Sequence, residues 1–416
     1  RHRKPVLMEA VAEHIKVPEL RFPEFSGEWE EKRLGEIASF SKGKGLSKSD
    51  LDPYGPIPCI RYAELYTTYS EVIELVYSKT SVSDSELILS TGGEVIIPAS
   101  GETAVDMATA SCIQPKGVAL GGDINIIHAT DRGDFLAYLF TGKLQFKIAS
   151  LAQGSSVMHL YPAQLRLLKI PRPSLPEQQK IAEFLTAVDE KIGKLKRKKE
   201  LLEAYKKGAM QKLFSQEIRF KDDQGNPYPD WEEKRLGEFL DEHGGKSQGN
   251  EEVFSVSVHK GLINQIAHLG RRFAADDTSH YNRVLAGDIV YTKSPTGNFP
   301  LGIIKRNQSG EIAIISPLYG VFTPESNGLG IWLDEYFSSV ANTHNYLHSI
   351  IQKGAKNTIN ITNKTFLSKG LRVPISHEEQ ELIGEFFNKL NNKINAVANQ
   401  IDKAAEFKKG LLQKMF

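Results

Sequence analysis

The chain has only two cysteines in 416 residues, Cys59 and Cys112, and no Cys-x-x-C pair. That excludes a disulfide scaffold and a cysteine-built zinc site, and it points to a reducing cytoplasm. A surplus of one charge is also missing. The 52 basic and 51 acidic side chains leave a formal net charge of +1, so no bulk positive field exists to coat nucleic acid. No apolar run approaches the roughly 18 residues of a membrane span. The opening Arg1-His2-Arg3-Lys4-Pro5 has neither an initiator Met nor an apolar leader, so residues 1–17 are read as an N-terminal extension or an appended remnant. What is present is a 40% hydrophobic share, enough to exclude a disordered chain, and a length that predicts two or three domains.

The sequence repeats itself. Trp29-Glu30-Glu31-Lys32-Arg33-Leu34-Gly35-Glu36 returns as Trp231 to Glu238, an offset of 202 residues. Upstream, Leu20-Arg21-Phe22 is echoed by Ile218-Arg219-Phe220. Far downstream, Glu177-Gln178 and Ile181-Ala182-Glu183-Phe184 align with Glu379-Gln380 and Ile383-Gly384-Glu385-Phe386, again 202 apart. Gln211 to Phe214 aligns with Gln413 to Phe416. A period this long is not a solenoid; it predicts two similar halves related by a pseudo-two-fold axis. The ends of the halves match, while the middles, about 42–150 and 244–350, have diverged.

The matched ends read as helices over 178–214 and 380–416. Ile181, Leu185, Val188, Ile192, Leu195, Lys199, Leu202, Lys206, Ala209 and Leu213 follow a 4-3-4-3 spacing, an a/d heptad seam. The second copy gives Ile383, Phe387, Leu390, Ile394, Val397, Ile401, Ala404, Lys408, Leu411 and Met415. Each helix is roughly 55 Å long at 1.5 Å per residue. A stripe this narrow and long prefers a helix partner, so an antiparallel pair is expected; two helices packed on separate cores is the alternative. Pro171, Pro173 and Pro176, and then Pro374, mark the boundaries before the helices.

The middles have strand-and-turn texture, as in Glu94 to Pro98 and Gly287 to Thr292, with helices expected at Phe135–Leu144 and Leu333–Gln352. The fold class is therefore α+β, and the domains fall at 18–177, 178–216 (helix), 217–379 and 380–416 (helix). Charge is divided unevenly among them. Residues 41–150 carry 9 basic against 13 acidic side chains, and 243–352 carry 8 against 9. The helix 178–214 carries 10 against 5, with the run Lys194-Leu195-Lys196-Arg197-Lys198-Lys199. Such a run is most simply a solvated face, and a reader of DNA built on acidic globules needs phosphate contacts from elsewhere.

Catalytic signatures are missing. Gly244-Gly245-Lys246-Ser247 ends like a P-loop, but Leu240 stands where the first glycine belongs. His344 and His348 have i, i+4 spacing without a following glutamate, so a surface or packed pair outweighs a zinc site. Asn226-Pro227-Tyr228 and Asp52-Pro53-Tyr54 lack the second proline of an adenine-methyltransferase loop. No metal site and no catalytic residue is expected in this chain.

A Trp-Glu-x-x-x-Leu-Gly segment, a variable middle, a proline-ended strand and Glu-Gln leading into a long helix, all occurring twice over residues 18–416, resembles the DNA-specificity subunit of type I restriction–modification systems. The resemblance implies a non-catalytic bacterial, cytoplasmic subunit. Each middle would be a target recognition domain that reads one half of a split double-stranded DNA site, and the helix pair would set the gap. Two methyltransferase subunits would dock and methylate adenine N6 with S-adenosylmethionine. Two restriction subunits, using ATP and Mg, could join. No cofactor is expected in the chain itself. A scaffold that bridges two proteins without reading DNA is the competing reading, disfavoured by the unlike middles.

Residues with DNA-reading chemistry in loops beside strand-like runs are Lys42, Lys44, Arg61, Tyr62, Ser100 and the loop Gln153-Gly154-Ser155-Ser156 in the first half. In the second they are Lys246, Arg271, Arg272, Lys293, Ser294, Asn298, Lys356 and Asn357. Arg suits guanine O6/N7, Asn and Gln suit adenine, and Lys suits phosphate. An ordinary surface loop is the alternative for each. Trp29 and Trp231, shared by both halves, suit packing at the helix base or a methyltransferase contact.

Overall fold

The computed structural model describes residues 17–154, 156–271, 277–353 and 359–416. The chain divides into two compact units: residues up to Lys196 together with Asn399–Phe416, and Arg197–Ala398. Each unit thus holds one globule, the first part of its own long helix and the last part of the other.

The long helices span Leu175–Phe214 and His377–Lys414. Both start three residues earlier than the sequence pattern predicts. Pro176 does not delay the first one, because the first helical turn has no intrahelical use for the missing N–H. Within the first unit, Ile181, Ala182 and Leu185 from the start of one helix share a core with Leu411, Met415 and Phe416 from the end of the other. Within the second, Ile383 and Phe387 share a core with Leu213, and the Phe214 and Phe387 rings stack 6.2 Å apart. In each unit the two segments therefore run antiparallel. The seam side chains Ile181, Leu185, Ile192, Ile383, Phe387, Leu390 and Val397 are buried; Val188, Leu195, Leu202, Ile394 and Ile401 are half-buried.

The repeated Trp-Glu-Glu-Lys-Arg segments make the same local structure. Glu30–Arg33 pairs antiparallel with Lys169–Arg172, and Glu232–Arg235 pairs with Gly370–Val373. Each ladder ties the start of a globule to the strand that feeds the long helix.

The divergent middles share more than their sequences show. In the first unit a sheet runs in the order Ala38–Lys42, Ile124–Ala129, Glu94–Pro98, Ser111–Ile113, with Val72–Ile73 added in parallel at the edge. In the second it runs Leu240–Glu242, Gly320–Pro324, Ile289–Tyr291, Ile304–Arg306. The first four strands have the same order and the same antiparallel directions. The helix after the second strand in that order, Gly133–Thr141 or Asn327–Ser338, buries its aromatic and leucine side chains in the core. A second sheet differs between the units: Lys79–Thr80, Ile57–Ile60 and Ala119–Leu120 in one, Gly261–Asn264, Glu252–Ser257, Ala313–Ile315 and Asn282–Val284 in the other.

The helix expected over 333–352 is two helices, Asn327–Ser338 and Val340–Leu347. Ser339 separates them and its side chain accepts from the Asn342 amide, an N-cap that restarts the helix. No described helix is long and apolar enough to cross a membrane.

Candidate nucleic-acid interface

The repeated motifs converge at the base of each globule. Arg21 donates to both oxygens of Glu177 at 2.7 and 2.8 Å, and Trp29 Nε1 donates to the same carboxylate at 3.2 Å. In the second unit Arg219 donates to Glu379 at 3.1 and 2.9 Å, and Trp231 Nε1 donates at 3.1 Å. Glu177 and Glu379 are 2% and 0% exposed, so each buried charge is held by a two-pronged guanidinium and an indole N–H. Gln178 donates to the Pro173 carbonyl and Gln380 to the Pro374 carbonyl, which docks the helix start on the strand before it. The Glu-Gln pair is thus a structural clamp. Trp29 and Trp231 are buried and pack inside their own units.

The strand directions bring most of the nominated residues of the first half to one end of its main sheet. Lys42 ends the strand Ala38–Lys42 and pairs with Asn125; Ser100 follows the strand Glu94–Pro98 and pairs with His159. Gln153 exchanges two backbone hydrogen bonds with His159, at 2.9 and 2.7 Å. Lys42 Nζ lies 6.0 Å from the centre of the Tyr161 ring, which stacks with the His159 ring at 6.1 Å. Lys42, Gln153, Gly154, Ser156, His159 and Tyr161 are exposed there, whereas Ser100 is buried at 7% exposure. Gly43 lets the chain turn after the strand: a Cβ there would stand 2.1 Å from the Gly121 carbonyl oxygen. Lys44 follows, exposed, with its amide on the Leu120 carbonyl. Arg61 and Tyr62 line an open cleft of about 580 Å³ with Gly45, Ser47, Gly121 and Gly122. Arg61 Nε is buried without a hydrogen-bond partner, and its nearest carboxylate, Glu64, is 3.9 Å away.

The second half gathers different chemistry at the corresponding strand ends. Lys246 Nζ donates to Asn282 Oδ1 at 2.6 Å. Lys293 follows the strand Ile289–Tyr291 with φ +51°, a left-handed backbone that costs a non-glycine residue energy. Burial lowers the pKa of its half-buried ammonium, and the Glu242 carboxylate partly offsets this. Ser294 is half-buried and Asn298 exposed on the same loop. Glu242, exposed at the end of its strand, accepts from Asn363 Nδ2 at 2.6 Å. Arg271 lies elsewhere, on the turn after the short helix Gln265–Leu269. Ser155, Arg272, Lys356 and Asn357 lie outside the described residues; the flanking strands Gln352–Lys353 and Ile359–Asn360 pair antiparallel, much as Gln153 bridges to His159.

Sequence reasoning missed His159, Tyr161, Arg166, Glu242, Asn282 and Asn363. Arg166 lies over the Phe40 ring at 4.8 Å, beside Lys42 and Tyr161. A signal was available in the second-half counterpart of a strand already noticed. Gly93-Glu94-Val95-Ile96 to Ser100 and Gly287-Asp288-Ile289-Val290 to Ser294 share a pattern and occupy the same sheet position. In both, the acid accepts from the preceding turn: Glu94 from Thr91 and Gly92, Asp288 from Leu285.

The strand Glu252–Ser257 follows Gly244 to Ser247, where a P-loop would lead into a helix. The His344 and His348 rings lie 5.0 Å apart, and no cluster of three or more metal-binding side chains occurs among the described residues.

A frame repeated twice, with unlike side chains at its matching strand ends, is the build of a two-part reader. Residues 26–204 match the type I restriction modification DNA specificity domain. The chain is 24% identical over 418 residues to the type I restriction enzyme MjaVIII specificity subunit of Methanocaldococcus jannaschii, covering 94% of this chain and 92% of the relative. A 112-residue stretch is 39% identical to the putative MjaX specificity subunit of the same organism, covering 25% and 26% of the two chains. The type I restriction-modification S subunit from M. genitalium shares the fold, with a TM-score of 0.63 at 16% identity over 96% of this chain and 98% of that one. Over residues 26–204 the chain thus carries the DNA specificity domain of type I restriction–modification systems, and along 94% of its length it is similar to a specificity subunit.

Proposed function

We propose that this chain is the non-catalytic specificity subunit of its complex, in which each unit reads one half of a split double-stranded DNA site and the long helices set the gap. Methyltransferase subunits, expected as two copies, dock on it and methylate adenine N6 with S-adenosylmethionine. Restriction subunits, expected as two copies that use ATP and Mg, join them. The chain carries no cofactor of its own in this reading.

One observation carries it. The clamp and the four-strand order are the same in both units, but the strand ends offer Lys42, His159, Tyr161 and Arg166 in one and Glu242, Lys293 and Asn363 in the other. Constant parts suit partners that come in equal copies; unlike ends suit two different sequences. A bridging scaffold has no use for that difference.

The test is replacement of residues 42–150 by the corresponding segment of a relative, followed by sequencing of methylated adenines. One half-site should change while the other half-site and the gap persist. An unchanged motif would remove the reading, and sequence-independent binding with the methyltransferase present would favour a scaffold.

A further inference from the structure

Glu242 occupies the place in the second unit that Phe40 occupies in the first, 202 positions earlier and on the equivalent strand. Both face the segment around a short helix that precedes the strand feeding the long helix. In the first unit Phe40 meets Arg166 and Lys42 meets Tyr161, which flank the helix Pro162–Leu165. In the second, Glu242 meets Asn363, the first residue of the helix Asn363–Ser368. The same corner of the frame therefore presents hydrogen-bond donors in one unit and a carboxylate in the other.

We propose that Glu242 is a base-reading residue of the second unit, accepting a hydrogen bond from an exocyclic amino group, cytosine N4 or adenine N6, in the major groove. The inference rests on the two-reader function above. A carboxylate gains nothing from a phosphate, and backbone charge repels it. Within the unit its charged neighbour is the Lys293 ammonium, and at a corner turned to DNA its complements outside the unit are the amino donors of base edges. Asn363 fixes the side chain at 2.6 Å through Oε1. A carboxylate has acceptor capacity for more than one donor, so this bond leaves Glu242 able to take another.

The experiment uses the complex with its methyltransferase subunits, as wild type, Glu242→Gln and Glu242→Ala. Each is titrated with duplexes substituted singly at every position of the second half-site. Glu242→Ala should lose about tenfold in discrimination at one position, the size of one good base contact, and should bind unrelated DNA more tightly because a repulsive charge is gone. The base preferred there by the wild type separates cytosine from adenine. Glu242→Gln, whose amide also donates, should keep Asn363 in place and admit a base presenting an acceptor at that position. Wild-type discrimination everywhere in both variants, or a uniform loss of affinity, overturns the proposal. A wild-type complex with no sequence preference would instead overturn the two-reader function beneath it.

Discussion

Lys408 Nζ lies 2.6 Å from Glu71 Oε2, although 337 residues separate the two in the chain. Asp189 completes the contact at 2.7 Å and also accepts from the Tyr138 hydroxyl at 2.8 Å. Lys408 is a seam position, and its repeat equivalent Lys206 meets Glu335 at 2.7 Å in the other unit. There Asn391, equivalent to Asp189, donates to Glu335 at 2.8 Å. These two seam lysines tie the end of a long helix to a globule, whereas the third, Lys199, pairs with Glu203 on its own helix at 3.0 Å. Burial alone would lower the pKa of Lys408, but Glu71 and Asp189 outweigh it and hold the ammonium charged.

Lys408→Met should destabilise the first unit by about 2–3 kcal/mol, because removing the ammonium leaves two half-buried carboxylates uncompensated. Adding Glu71→Gln and Asp189→Asn should recover most of the loss, since a seam without buried charge is well tolerated. Chemical denaturation of the three proteins tests this. An unfolding midpoint unmoved by Lys408→Met would show the contact to be energetically idle.

Glu177→Gln and Glu379→Gln should each cost about 1–3 kcal/mol, since each removes the charge from a two-pronged bond to a half-buried guanidinium and weakens the bond to an indole. Because the two clamps have matching geometry, the two losses should be similar. Tryptophan fluorescence during unfolding reports them, as Trp29 and Trp231 touch the altered groups. Clearly unequal losses would argue that the clamps are alike in geometry only.

How much was legible follows from what is local. The 202-residue repeat, the a/d seam and the strand Glu94–Pro98 depend on neighbours in sequence, and a single chain displays them. The shared four-strand order depends on pairings such as Lys42 with Asn125 and Glu242 with Phe322, which no spacing reveals. For the same reason Tyr161 and Arg166 were invisible as partners of Lys42 and Phe40. Glu177 was visible as a repeated letter, but its use as the buried centre of a clamp needed the fold.

Both thiols should be silent in the native protein. Burial pushes the Cys59 thiol up to about 11 and the Cys112 thiol up to about 12, with nearby Glu64 and Asp134 adding to the effect. The reactive species is the thiolate, so at pH 8 almost none is present in the fold. A disulfide reagent such as DTNB should release no colour from the native chain and two equivalents after denaturation. Rapid native reaction of either cysteine would show that its part of the core opens readily.

The Gly-Lys pair at Gly43-Lys44 and Gly245-Lys246 recurs in register inside the otherwise diverged middles. Each follows the first strand of the shared sheet, and both lysines are exposed. A residue common to two readers of different sequences suits the part of DNA that does not vary, its phosphates. Lys44→Ala and Lys246→Ala should therefore weaken binding of the methyltransferase complex evenly across sequences. Each should lower the dependence of log affinity on log salt by about one unit. The methylated motif should stay the same. A changed base preference in one half-site after either substitution would make that lysine a base reader, and an unchanged salt slope would remove it from the DNA contact altogether.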